Sequence, residues 1–120
     1  MSNETIHVHL EVTVPDANRA GFHGLMSELV ERASKEKVTL VYEWYEVGDT
    51  GTWHILERYS DAENGDLHVK GFAENNAGRF FELVDSCTGI VSDNATPYIK
   101  GVLDGISPLY ITQKGGLNRF

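Results

Sequence analysis

The sequence predicts a single soluble α+β domain of the ferredoxin-like type, in which an antiparallel sheet carries helices on one face. Its 120 residues fit one domain of ordinary size, and hydrophobic residues make up 41% of them, enough to form a core. The hydrophobic patterns follow the order strand, helix, strand, strand, helix, strand, which is the ferredoxin-like order. The central hairpin carries large side chains on both faces, so the face without helices needs another cover.

The charge balance excludes two classes of partner. Ten basic and eighteen acidic residues give a formal charge of −8. Nucleic-acid phosphates and anionic membrane surfaces both attract basic residues, so we expect no nucleic acid and no membrane as partners. No apolar run approaches the roughly 20 residues that cross a bilayer. The polar residues 1–4 are unlike a signal peptide, which predicts a cytoplasmic location.

The first element is a strand with one apolar face. Residues 5–14 alternate with period two, and the imidazoles of His7 and His9 point to the opposite face. Both rings could reach one metal ion, but a metal site usually needs a third ligand, and Glu11 is the only nearby candidate. We therefore expect these histidines in a dimer interface, and no metal.

A helix follows the strand. Asp16 is placed to cap its first turn, and Lys35 and Lys37 lie near its end, where the helix dipole favours cations. Its apolar residues recur at helical spacing and form one stripe. They are Ala20, Phe22, Leu25, Met26, Leu29, Val30 and Ala33.

The hairpin comes next, with strands at 39–47 and 52–59 joined by a turn at 48–51. Alternation puts Tyr42 and Trp44 on one face of the first strand and Tyr45 on the other. Because both faces are rich in large side chains, we expect helices to cover one face and a second copy of the chain to cover the other, in a two-fold homodimer.

The second half of the chain has weaker patterns. Ser60 and Glu63 have the spacing of a capping box, so we expect helix over 61–85, broken by its glycines near 71–76. Phe80 and Phe81 should anchor its second part to the core. A short helix at 95–103 and a last strand at 109–113 follow, and residues 117–120 form a tail. Residues 1–120 then form one domain with a C-terminal extension from about residue 92.

One carboxylate in the hairpin, that of Glu57, is a candidate functional group. Glu57 shares a strand face with Trp53, Ile55 and Tyr59, and an isolated carboxylate in such surroundings is costly to bury. His68 follows eleven residues later on the next helix, which must fold back over the sheet. We expect Glu57 and His68 to lie within interaction range, either as a catalytic pair or as a structural contact between helix and sheet.

These residues also carry a family resemblance. Residues 57–61 (Glu-Arg-Tyr-Ser-Asp), 67–68 (Leu-His) and 40–45 (Leu-Val-Tyr-Glu-Trp-Tyr) resemble the antibiotic-biosynthesis monooxygenases, dimeric α+β barrels that include quinol monooxygenases. The resemblance covers about residues 5–85. The end of the chain resembles longer members that finish in a Gly-Gly-apolar-x-Arg segment, here 115–119.

The resemblance implies an oxygenase that needs no metal or organic cofactor. Such enzymes oxidise small phenols or quinols with molecular oxygen, because the substrate supplies the electrons and the protein supplies a dry pocket and a base. His68 would take the phenolic proton, with Glu57 beside it. The residues expected to line the pocket are Trp44, Tyr45, Trp53, Tyr59 and Phe72.

Two other functions use the same pocket. The first is a non-catalytic module, which binds a small aromatic ligand in the pocket or serves only as a dimerisation module. The second is an isomerase or cyclase that uses the same pocket. Haem degradation is not expected, because haem-degrading relatives resemble one another in an asparagine on the first strand and a histidine late in the second helix. Residues 5–14 contain no asparagine, and 69–86 contain no histidine.

Overall fold

The computed structural model of the protein describes residues 5–36 and 39–117. Its strands are β1 Ile6–Thr13, β2 Thr39–Glu46, β3 Thr52–Tyr59, β4 Ser86–Ser92 and β5 Leu109–Ile111. Its helices are α1 Arg19–Ser34, α2 Ala62–Asn75, α3 Ala77–Leu83 and α4 Pro97–Leu103. The expectations for Lys37 and for residues 1–4 and 118–120 lie outside the described residues.

The strands form one mixed sheet in the order β2-β3-β1-β4-β5. The first four pair antiparallel in the ferredoxin-like arrangement, which confirms the predicted fold class. β5 is an addition, because it pairs parallel with β4 at the sheet edge. None of the described helices is long and apolar enough to cross a membrane.

The strand β4 was not predicted, and the strand expected at 109–113 is β5 rather than the fourth ferredoxin-like strand. Polar residues at both ends of β4 and Gly89 at its centre hide its alternation. Close packing explains the glycine at position 89, because a Cβ there would lie 3.0 Å from a methyl group of Ile106 and 3.1 Å from one of Leu10. The glycine lets the turn that follows α4 pack onto the sheet.

The core lies between the sheet and the helices. The apolar face of β1 is buried beneath α1, as its alternation predicts, and Phe22 of α1 packs its ring against Trp44, Trp53 and Phe80. The largest fully buried side chains are Tyr59, Phe22, Phe80, Ile6, Leu25, Ile55 and Ile99. The described helices thus all lie on one face of the sheet.

The helix starts differ from the predicted caps. Asp16 begins a 3-10 turn instead of capping α1, which starts at Arg19 without a side-chain cap. At α2 the cap is Asp61 and not Ser60, because the Asp61 carboxylate accepts a 3.0 Å hydrogen bond from the Asn64 backbone N–H. The cap therefore lies one residue later than predicted, and α2 starts at Ala62.

The break in the second helical segment is confirmed. It falls at Asn76, between α2 and α3. The Asn76 side chain is buried and accepts a hydrogen bond from Arg32 of α1, whose guanidinium also donates to the Gly71 carbonyl at 3.1 Å. Phe80 of α3 is buried as expected, whereas Phe81 is 47% exposed and anchors little.

The opposite face of the sheet is polar at its centre and apolar around it. His9 Nε2 lies 2.9 Å from His54 Nδ1, and Arg58 Nε donates to His7 Nδ1 at 3.2 Å. Burial and the Arg58 charge lower the pKa of His7. None of the described helices covers this face.

Candidate functional site

His68 is held between two carboxylates. It lies on the side of α2 that faces the sheet and is only 7% exposed. Its Nδ1 is 2.7 Å from Glu36 Oε1, a hydrogen bond, and its Nε2 is 3.7 Å from Glu57 Oε1. The expectation that Glu57 and His68 lie within interaction range agrees with this geometry.

The Glu57 carboxylate is nearly enclosed, with 10% of the side chain exposed. Burial raises its pKa and the Glu36 charge adds to the rise, while His68 and a hydrogen bond from the Tyr59 hydroxyl act in the opposite direction. An acidic group whose pKa is raised by burial is suited to exchange a proton nearer neutral pH.

Two tyrosine rings flank the imidazole. The ring centroids of Tyr42 and Tyr59 each lie 5.0 Å from that of His68. Burial, followed by the negative charge of Glu57, raises the pKa of both phenols well above the usual value, so both keep their protons. Both rings therefore flank the imidazole as neutral phenols, and the Tyr59 hydroxyl donates a hydrogen bond to Glu57.

Glu36 is a site residue that the sequence interpretation missed. It follows α1, and its carboxylate also accepts a 2.8 Å hydrogen bond from the Thr39 hydroxyl. Its contact with His68 joins residues 32 positions apart, so no local pattern points to it. The single available signal was an acidic residue between Lys35 and Lys37, where the helix dipole disfavours negative charge.

A small cavity opens beside Glu57 and His68. Its other walls are mainly aromatic and aliphatic, and include Tyr42, Trp44, Phe72, Phe80, Val102 and Leu103. The indole N–H of Trp44 is buried and makes no hydrogen bond among the described residues. The cavity volume is about 40 Å³, far below the 300–1,000 Å³ of ordinary ligand pockets. A ligand larger than a few atoms therefore has to displace part of the wall.

Three of the aromatic residues expected to line the pocket lie elsewhere. Tyr45 is 53% exposed on the opposite face of the sheet, where its hydroxyl donates to Glu43. Trp53 is buried at the far end of β3, four residues from Glu57, and packs on α1. Tyr59 is buried beneath the carboxylate and the imidazole and does not reach the cavity. Trp44 and Phe72 do line it.

A larger hollow, of about 580 Å³, lies on the opposite face of the sheet. His7, Arg58 and Gln113 are among its lining residues. It belongs to the face that the two-fold homodimer hypothesis covers, and it does not contain the buried carboxylate–histidine pair. The smaller cavity is therefore the candidate active site.

The raised pKa of Glu57 predicts a pH-dependent stability. Between the ordinary pKa of 4.5 and the higher native value, the Glu57 carboxyl binds more protons in the folded protein than in the unfolded chain, so its contribution to the free energy of unfolding falls as pH rises through this interval. Glu57→Gln should remove that fall. Urea unfolding at pH 4.5 and 7.5 measures it, with the exposed Glu43→Gln as control. An equal stability difference between wild type and Glu57→Gln at both pH values would contradict the assignment.

The sequence matches the family model described as antibiotic biosynthesis monooxygenase over residues 5–72. That range contains Glu36, Glu57 and His68 and covers more than half of the chain. No curated protein matches the chain significantly.

Solved structures share the fold. MupZ from Pseudomonas fluorescens superposes with a TM-score of 0.76 at 23% identity, over 98% of this chain and 96% of that one. A candidate antibiotic biosynthesis monooxygenase from Caulobacter crescentus gives 0.63 at 20% identity, over 78% of this chain and 92% of that one. Rv0793 from Mycobacterium tuberculosis gives 0.62 at 20% identity, over 71% and 91%. At these identities the likeness concerns the fold.

Proposed function

Because the chain belongs to the antibiotic biosynthesis monooxygenase family, we propose that it oxidises a small phenol or quinol with molecular oxygen, without a metal or organic cofactor. The observation that supports this most is the buried His68–Glu57 contact beside an aromatic-walled cavity. A phenol needs a base for its proton and a dry, apolar site for its ring. His68 offers the base, and the apolar walls of the cavity offer the site once the ring displaces part of them.

The proposed reaction begins with proton transfer. The phenolic O–H gives its proton to His68 Nε2, and the electron-rich phenolate that results is oxidised by oxygen. One oxygen atom enters the ring and the other leaves as water, so a quinol supplies all four electrons and becomes a hydroxyquinone. The buried indole N–H of Trp44, which lines the cavity, can orient the substrate oxygen.

Oxygen consumption tests the proposal. A panel of quinols and naphthols is incubated with the protein in an oxygen electrode cell, and products are identified by mass spectrometry. We expect uptake with at least one substrate, lost in His68→Gln and kept in His23→Gln, a matched change on α1 against Trp53. Products without incorporated oxygen from labelled O₂ would contradict monooxygenation.

The same geometry favours a second candidate, an isomerase or cyclase. His68 and Glu57 are two proton carriers 3.7 Å apart, so one can remove a proton while the other returns one. The oxygen electrode separates the cases, because isomerisation or cyclisation changes the product without oxygen uptake. Binding of an aromatic ligand with neither change would indicate the non-catalytic module.

We also propose that the protein works as a homodimer, with the helix-free face of the sheet as the interface. Tyr45 and Ile90 on that face are large apolar residues that the described chain leaves exposed, and they surround the His9–His54 contact. A second copy of the same face is the simplest cover.

Sedimentation velocity at micromolar concentration tests the dimer. We expect a particle of about twice the 13.4 kDa chain mass. Ile90→Arg should give a monomer, because association of the two copies would bury an unpaired charge. Leu67→Arg, at an exposed position of α2, should leave the dimer intact. A wild-type monomer, or the same response to both changes, would refute the interface.

A further inference from the structure

The two carboxylates beside His68 do not contact it equally. Glu36 is at hydrogen-bond distance, 2.7 Å from Nδ1, whereas Glu57 is 3.7 Å from Nε2, too far for a hydrogen bond. An ionised carboxylate can only accept, so the Glu36 contact requires a proton on Nδ1. In the neutral imidazole the lone pair then lies on Nε2, which makes no hydrogen bond among the described residues.

The Glu36 carboxylate is itself fixed. The Thr39 hydroxyl donates to the same oxygen at 2.8 Å, and the Glu36 backbone N–H donates to the Ala33 carbonyl at 2.9 Å, where the chain leaves α1. The flanking rings of Tyr42 and Tyr59 restrict rotation of the imidazole. Ring plane and hydrogen-bond partner thus select the same orientation.

We propose that Glu36 is a positioning residue, which holds His68 in the tautomer that carries its proton on Nδ1 and turns the basic Nε2 toward Glu57 and the cavity. The carboxylate of serine hydrolases orients its histidine by the same physical logic. As a role in catalysis, this inference rests on the proposed function. The tautomer itself can be measured without any substrate.

Nitrogen-15 NMR of protein labelled at histidine gives the first test. In wild type at pH 8, we expect the His68 spectrum of a protonated Nδ1 and an unprotonated Nε2. Glu36→Gln should mix the two tautomers, because an amide can donate as well as accept, and Glu36→Asp should restore the wild-type state at least partly. Glu31→Gln, an exposed change on α1, is the matched control. A protonated Nε2 in wild type, or an unchanged spectrum in Glu36→Gln, would overturn the inference.

Kinetics give the second test, with whichever substrate the oxygen and product assays identify. Glu36→Gln should lower kcat by about 10²- to 10⁴-fold with little change in KM, because the base is misoriented while the cavity wall is intact. An unchanged kcat alongside a changed tautomer would overturn the catalytic role. If no substrate is turned over but the NMR result holds, the proposed function fails and the tautomer assignment stands.

Discussion

Replacing His68 with alanine is expected to lower turnover of a phenolic substrate by about 10²- to 10⁴-fold, the usual contribution of a positioned base. The same change should also cost stability, because His68 is buried and its removal leaves the Glu57 carboxylate enclosed without a partner. That loss is on the order of 1–3 kcal/mol. A melting curve and an initial rate, measured on the same preparation, give the two effects.

His68→Gln separates the effects better, since the amide fills most of the space and can still donate to Glu36. We expect it to recover much of the melting temperature and little of the turnover. His23→Ala, a histidine change away from the cavity, should leave turnover unchanged. If His68→Ala melted lower but turned over at the wild-type rate, the carboxylate–histidine contact would be a structural link between helix and sheet.

Phe80→Ala is expected to give the largest loss of stability, about 3–5 kcal/mol. The Phe80 ring is 1% exposed, and its centroid lies 5.4 Å from that of Phe72 and 6.0 Å from that of Phe22. Since Phe80 also lines the cavity, its truncation should enlarge the existing space. Small aromatic compounds such as indole should then bind the variant and raise its melting temperature.

The neighbouring residue supplies the control for this change. Phe81 has the same side chain but is 47% exposed on α3. Phe81→Ala should lower the free energy of urea unfolding by less than about 1 kcal/mol and should gain no stabilisation from indole. Equal losses for the two variants would show that α3 packs differently from the arrangement described.

Most of the fold could be predicted from the sequence, because local periodicity determines which face of each element is buried. The β1 alternation and the break before Ala77 follow from neighbours within a few residues. The α1 stripe is confirmed at Phe22, Leu25, Leu29 and Ala33, which are buried, but Ala20 and Val30 at its margins are exposed. β4 could not be found this way. Gly89 is placed by its contacts with Leu10 and Ile106, which are distant in sequence and leave no local pattern.

The candidate site was predictable in part for the same reason. Glu57 and His68 could be brought together because a short strand-to-helix return fixes their relation. Alternation already puts Tyr42, and not Tyr45, on the face of Trp44, so the pattern contained the better choice. Glu36 depends on how α1 ends against α2, which is a tertiary contact that local periodicity does not encode.

The position of α4 separates two properties that many enzymes combine in one segment. The proposed base His68 and the two carboxylates beside it, Glu36 and Glu57, all lie within the family-matched residues 5–72, whereas Val102 and Leu103, which line the cavity, lie beyond that range. Substitutions in α4 can therefore change which molecules are admitted while the acid–base groups stay as they are. For the proposed reaction, natural or laboratory evolution can therefore alter substrate scope through α4 without changing the residues that carry the chemistry.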